Sequence, residues 1–224
     1  MVHTRGMLDR ELTQIQDNIL RLSSMVETAI QRSIKALKER DVDLAEYIIA
    51  GDEKINVLRY SIEEQCLTLI ATQQPVAGDL RTVIAAMHIA IEMERMGDYA
   101  AGIAQLATRL AGEPLLKPLI DVPRMADIAC EMLRSSIDAF LDRDPMAAEA
   151  VADRDDEVDQ LDDQVYRELL TYMIQDPRNI NRATFLLWVS HNLERIADRA
   201  KNISERVVFM TTGKLKKLDP EEVE

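Results

Sequence analysis

Glycine and proline number seven each in 224 residues, about half their usual share of a globular chain, so turns are few and the elements between them are long. Aromatic residues make up 4%, and no segment alternates apolar and polar with period two. A β-sheet has little to be built from. The two cysteines, Cys66 and Cys130, each stand alone in an apolar pattern, too few for a disulfide framework or a zinc cage. They read as small buried hydrophobes. Positive charge is short as well: 27 Lys and Arg face 40 Asp and Glu, a net charge of −13. Such a chain lacks the clustered cations that release counterions from a phosphate backbone, and an anionic lipid surface repels it. Nucleic acid is therefore not an expected partner. The most apolar stretch, Val83 to Met93, is interrupted by His88 and Glu92 and is too short to span a bilayer, so direct membrane insertion is not expected. The opening MVHTRGMLDREL has mixed charge and no apolar signal core, which points to a cytoplasmic protein.

What the chain does have is helical period. Ile15, Ile19, Leu22, Val26, Ile30, Ile34 and Leu37 recur at steps of three and four, one stripe along one helix face. Leu44, Ile48, Ile55, Leu58, Ile62, Cys66 and Leu69 form a second stripe, with one turn missing at Gly51. The fold class is all-α. Breaks are expected at Arg40–Val42, around Gln73–Gln74–Pro75 and across Gly112–Pro123, then at Asp144–Pro145 and Asp176–Pro177. The last two suit an Asp N-cap with proline at the first helical position. Pro114, Pro118 and Pro123 fall close together and read as a linker. Gly213 is placed to end the final helix.

The two halves repeat each other. RSIKALKERD at Arg32–Asp41 matches SSIDAFLDRD at Ser135–Asp144 at an offset of 103, and Asp52/Asp155, Ile55/Val158, Leu58/Leu161 and Ile62/Val165 keep that offset. ERMGD at Glu94–Asp98 matches ERIAD at Glu194–Asp198 at an offset of 100. The expected layout is a first three-helix repeat over 1–112, a Pro-rich linker over 113–123, a second repeat over 124–213 and a charged tail over 214–224. Short connections make consecutive helices neighbours, so each repeat forms an antiparallel three-helix bundle.

On helix three of the first repeat, Ile84, Met87, Ile91, Glu94 and Asp98 share a face, so two acids extend an apolar stripe. Leu187, His191, Glu194 and Asp198 repeat the arrangement. Carboxylates in line with a buried stripe are costly unless a cation meets them, and acids spaced four apart repel. Helix two adds Asp52 with Asn56, and Asp155 with Asp159 at the aligned positions. Oxygen donors facing one another across two helices suit a hard cation. Against this, DRDDEVDQLDD at Asp153–Asp163 also reads as a solvated helix face, Glu94 and Asp98 have Arg95 and Arg81 within reach for pairing, and His88 and His191 read as semi-buried residues rather than ligands. The eleven methionines read as gap fillers in helical cores.

Catalytic signatures are absent from the sequence: no Gly-rich phosphate loop, G-x-S-x-G elbow or HExxH occurs, and nothing nominates a nucleophile. An enzyme is not expected. A carboxylate-bridged di-iron oxidoreductase of the ferritin type, the alternative reading, needs paired Glu-x-x-His motifs. The chain offers only the reversed His191-x-x-Glu194. A metal-free helical scaffold is the other alternative.

QQPVAGDLR at Gln73–Arg81, ERMGD at Glu94–Asp98, LERIAD at Leu193–Asp198 followed by Asn202–Ile203, and the D-x-x-I-N segment Asp52–Asn56 resemble the PhoU family over about Leu8 to Met210. The resemblance implies two three-helix bundles related by pseudo-twofold symmetry. It implies a regulator of phosphate uptake and phosphate-starvation signalling, a homodimer that negatively modulates a phosphate ABC transporter through its ATPase subunit and a sensor histidine kinase. It further implies a multinuclear metal cluster, iron before other divalent cations, on acidic E/D-x-x-x-D motifs. By that resemblance the metal residues are Asp52, Glu94, Asp98, Asp155, Asp159, Glu194 and Asp198. Asn56 departs from the acidic pattern and brings one charge fewer, and Gly102 stands where the second repeat has Asn202.

Overall fold

The computed structural model describes residues 2–214 and Leu218, with the side chains of the first helix described from residue 6 onward. Of the charged tail read from the sequence, only Lys214 and Leu218 fall among the described residues. Helices α1 (Val2–Glu39), α2 (Val42–Gln73) and α3 (Gly78–Leu110) are followed by α4 (Asp121–Asp142), α5 (Pro145–Ala152), α6 (Asp155–Gln175), a 3-10 turn (Pro177–Asn179) and α7 (Ile180–Thr212). The molecule is all-α, two helical bundles in tandem.

The same turn opens helix two in both repeats. Arg40 and Arg143 adopt left-handed backbone, with φ of 56° and 54°, and the following Asp41 and Asp144 cap the next helix. Asp41 accepts from the Leu44 N–H at 2.9 Å, and Asp144 from those of Met146 and Ala147 at 2.9 and 3.1 Å. Each carboxylate satisfies amides that have no partner inside the helix. Pro123, read as linker, lies instead in the first turn of α4, where the missing N–H of proline costs no helical hydrogen bond.

The α1 stripe is buried throughout. Helix two differs between repeats. In the first repeat α2 runs unbroken through Gly51, and in the second the helix is interrupted at Asp153–Arg154 between α5 and α6. A glycine costs a helix interior only about 1 kcal/mol, which packing of Ile48 and Ile55 on either side overrides.

Helices α3 and α7 lie side by side and antiparallel at the centre. Arg81 at the start of α3 donates through Nε to the Met210 carbonyl near the end of α7 at 3.1 Å, while Arg182 at the start of α7 donates to the Pro114 carbonyl just past α3 at 3.2 Å. Between these ends, Asn202 Nδ2 donates to Glu92 Oε2 at 3.2 Å, and a Cβ placed on Gly102 would stand 3.2 Å from Asn192 Nδ2. At the offset of 100, residues 92 and 192 are equivalent, as are 102 and 202. The two contacts are one contact seen from either repeat, as a pseudo-twofold axis requires.

Candidate functional site

Helices α2 and α3 bring together the first group of acids. Gly97 lets the two helices close in: a Cβ there would meet Ile55 Cδ1 at 3.0 Å and Asp52 Oδ1 at 3.4 Å. Asp52 Oδ2 accepts from Asn56 Nδ2 at 3.3 Å, whereas Asp52 Oδ1 and Asn56 Oδ1 are buried without a hydrogen-bond partner. Burial, then the nearby Asp98 carboxylate, pushes Asp52 above the ordinary aspartate range. Glu94 is raised by burial and then by Asp98, with Arg59 opposing and Asp52 adding. Asp98, at the exposed edge of the group, is raised by partial desolvation, with Arg95 opposing. Three predicted residues thus share one electrostatic field.

The second group forms between α6 and α7. Asp155 is 3% exposed, and its Oδ2 stands 3.0 Å from Lys201 Nζ. Partial desolvation of its carboxylate, then Asp155 and Asp198, pushes Asp159 up to about 6. Burial, then Asp198, pushes Glu194 up to about 7, with Arg195 opposing and Asp159 and Asp162 adding. Arg195 lies 3.6 Å from Glu194 Oε2 and 3.3 Å from Asp198 Oδ2, and His191 Nδ1 is 3.3 Å from the same Glu194 oxygen. Desolvation of ionised oxygens and repulsion among them are what raise these groups.

The sequence placed the helix-three acids in line with a core stripe, and the geometry moves that stripe to its edge. Ile84, Met87, Ile91 and Glu94 are half-buried and Asp98 is exposed. The buried line on α3 is Val83, Ala86, Ala90, Met93, Gly97 and Ala100, made largely of small residues that let helices approach and that an apolar count passes over. His88 and His191 are likewise exposed rather than semi-buried.

Three residues at these groups were not singled out from the sequence. Lys201, three after Asp198 on α7, pairs with Asp155. Asp162 accepts from Ser190 Oγ at 2.5 Å and adds to the field on Glu194; its spacing of seven and three from Asp155 and Asp159 was the available signal. At the aligned position of the first repeat stands Arg59, which opposes the field on Glu94 and pairs with Glu63 at 2.9 Å. The first group therefore carries a cation where the second carries a fourth aspartate.

Oxygen-rich groups with unsatisfied buried acceptors fit a hard cation in donor chemistry. They are not a closed coordination shell: among the described residues no three of His, Cys, Asp or Glu converge as metal ligands. In the second group Lys201 and Arg195 supply cationic partners, so an ion there would compete with side chains. Among the described residues no helix is long and apolar enough to cross a membrane.

A family model described as PhoU domain matches residues 19–107 and again 122–207. A phosphate-specific transport system accessory protein PhoU homolog from Aquifex aeolicus is 40% identical over 210 residues, covering 94% of this chain and 95% of that protein. The protein of the same name from Caulobacter vibrioides is 39% identical over 212 residues, covering 94% and 92%. The crystal structure of PhoU from Pseudomonas aeruginosa superposes with a TM-score of 0.87 at 33% identity, covering 92% of this chain and 99% of that one. That of the phosphate transport system regulatory protein PhoU from Streptococcus pneumoniae gives 0.87 at 32%, covering 93% and 99%. With the domain matched in both halves and relatives similar along nearly the whole length, the chain belongs to the PhoU family.

Proposed function

We propose that this protein is a cytoplasmic regulatory adaptor of phosphate uptake and phosphate-starvation signalling, without chemistry of its own. In this reading it docks, as a homodimer, on the ATPase subunit of a high-affinity phosphate ABC transporter and on a sensor histidine kinase, and restrains both. The names of its relatives support the transport connection, and long packed helices suit rigid docking.

The observation that carries the inorganic half is the second acidic group. Asp155, Asp159, Glu194 and Asp198, joined by Asp162, set five carboxylates against the two cations Lys201 and Arg195, and burial followed by the Asp198 carboxylate pushes Glu194 up to about 7. Asp52, Glu94 and Asp98 supply a weaker counterpart, with Arg59 present and Asn56 neutral. A metal ion, iron before other divalent cations, would neutralise such a patch and offer positive charge to a partner carboxylate or to phosphate. The Lys201–Asp155 pair favours the competing reading, a metal-free scaffold whose acids are balanced internally.

Two measurements decide these points. Tagged protein from phosphate-replete cells should retain the ATPase subunit and the kinase, and deletion of the gene should switch on a phosphate-starvation reporter; retention of neither partner with a silent reporter refutes the adaptor role. Elemental analysis should find metal in the wild type that Glu194→Ala/Asp198→Ala loses, whereas equal content in both leaves the scaffold reading.

A further inference from the structure

A groove of about 230 Å³ opens between α1 and α2 of the first repeat, beside the acidic group. Its apolar floor is Met25, Ala29, Ile48 and Ile55, and its walls carry Arg32, Lys54 and Tyr47. The Arg32 guanidinium lies 5.7 Å from the centroid of the Tyr47 ring. Asp52 also borders the groove, but its Oδ1 is closed off from solvent, 3.4 Å from where a Cβ on Gly97 would stand.

The second repeat shows why this groove is open. At the offset of 103, Gly51 aligns with Arg154, whose guanidinium bonds Glu131 Oε2 at 2.9 Å and lies 3.5 Å from Glu157 Oε1. Glu131 and Glu157 align with Thr28 and Lys54. Ala29 aligns with Met132, which is fully buried. The second repeat thus has acidic walls closed by its own arginine, and the first has a glycine in that place and basic walls. A chain of net charge −13 has set two cations around an open, apolar-floored slot. Charge complementarity calls for an anion with a flat apolar body.

We propose that this groove binds a nucleotide, its base packed on Ile48, Ile55 and the Tyr47 ring and its phosphate turned out toward Arg32 and Lys54. The residues that would hold the nucleotide, Arg32, Tyr47, Ile48, Lys54 and Ile55, are not among those proposed for a metal, although Asp52 borders both.

Isothermal titration of the full-length protein with AMP and ADP tests this, with adenosine and inorganic phosphate as separate arms. Saturable binding by AMP or ADP is expected, with adenosine or phosphate alone weaker by about tenfold or more, the loss of one class of contact. Gly51→Arg installs the second repeat's plug. A Cβ at Gly51 meets nothing within 4 Å, so the variant should keep the wild-type melting temperature and lose the binding, and Arg154→Gly should leave it unchanged. Absence of saturable nucleotide binding, binding undiminished in a folded Gly51→Arg protein, or inorganic phosphate binding as well as AMP each overturn the proposal.

Discussion

Lys201 Nζ on α7 stands 3.0 Å from Asp155 Oδ2 on α6, an ammonium held against a carboxylate that is almost entirely out of water. Removing one member of a buried pair leaves the other charge desolvated, whereas replacing both with apolar groups is often nearly neutral. Lys201→Met should therefore lower unfolding free energy by about 3 kcal/mol, and Asp155→Leu/Lys201→Met should recover most of the loss. Urea titrations of the two single variants and the double supply the cycle. A loss below about 0.5 kcal/mol in Lys201→Met, the range of an exposed pair, would contradict the assignment.

Asp159 and Glu194 are pushed up to about 6 and about 7, while in the unfolded chain both titrate near their ordinary values of 3.8 and 4.5. Between those limits the native state holds protons that the unfolded state has released, so stability falls as pH rises from about 4 to about 7. The contribution is unfavourable above the folded pKa and vanishes below the unfolded one. Asp159 is exposed and solvent screens it, so the combined effect is on the order of 1 kcal/mol. Glu194→Gln should raise the melting temperature by a few degrees at pH 7.5 and change it little at pH 4.5, because the amide matches the protonated acid. Equal shifts at both pH values would show that ionisation of Glu194 is not the cause.

The two acidic groups differ at three aligned positions, Asn56 against Asp159, Arg59 against Asp162 and Ala101 against Lys201. If charge count governs cation affinity, the second group binds first and more tightly. Asn56→Asp/Arg59→Asp should convert the first group toward the second and raise metal bound per chain in elemental analysis after equilibration with ferrous or manganous ion. Unchanged stoichiometry, with the circular dichroism spectrum intact, would mean that backbone placement and not charge sets the difference.

Much of this architecture was legible in the sequence because it is written twice. The Arg-Asp turns recur at an offset of 103 and the E-R-x-x-D pairs at 100, and a local signal seen at two places outweighs a weak one seen once. The interruption of helix two was not legible. Gly51 has the poorer helix propensity yet lies in a continuous helix, while the break falls at Asp153–Arg154, where Arg154 turns out to Glu131 and Glu157. Tertiary partners decided it. The acidic positions were readable from spacing, but Lys201 and Arg59 were not, since whether a cation faces a carboxylate depends on how α6 and α7, or α2 and α3, are rotated against each other.

Lys117 is the one residue of the α3–α4 connection that carries a charge into the interior. Its ammonium is buried against Glu168 on α6 and stands 3.6 Å from Asp121 Oδ2 at the start of α4. One side chain thereby ties the connection to two helices of the second bundle. By contrast Lys35 pairs with Glu39 at 3.9 Å with both side chains more than half exposed. Lys117→Met keeps the length of the chain and removes the charge, leaving Asp121 half-buried with its partner gone. It should cost about 2 kcal/mol, while Lys35→Met should cost no more than about 0.5 kcal/mol. Urea unfolding of both variants at low and high salt separates the cases, because salt screens an exposed pair and hardly touches a buried one. Equal and salt-sensitive losses would place Lys117 among the surface charges and remove the anchor from the connection.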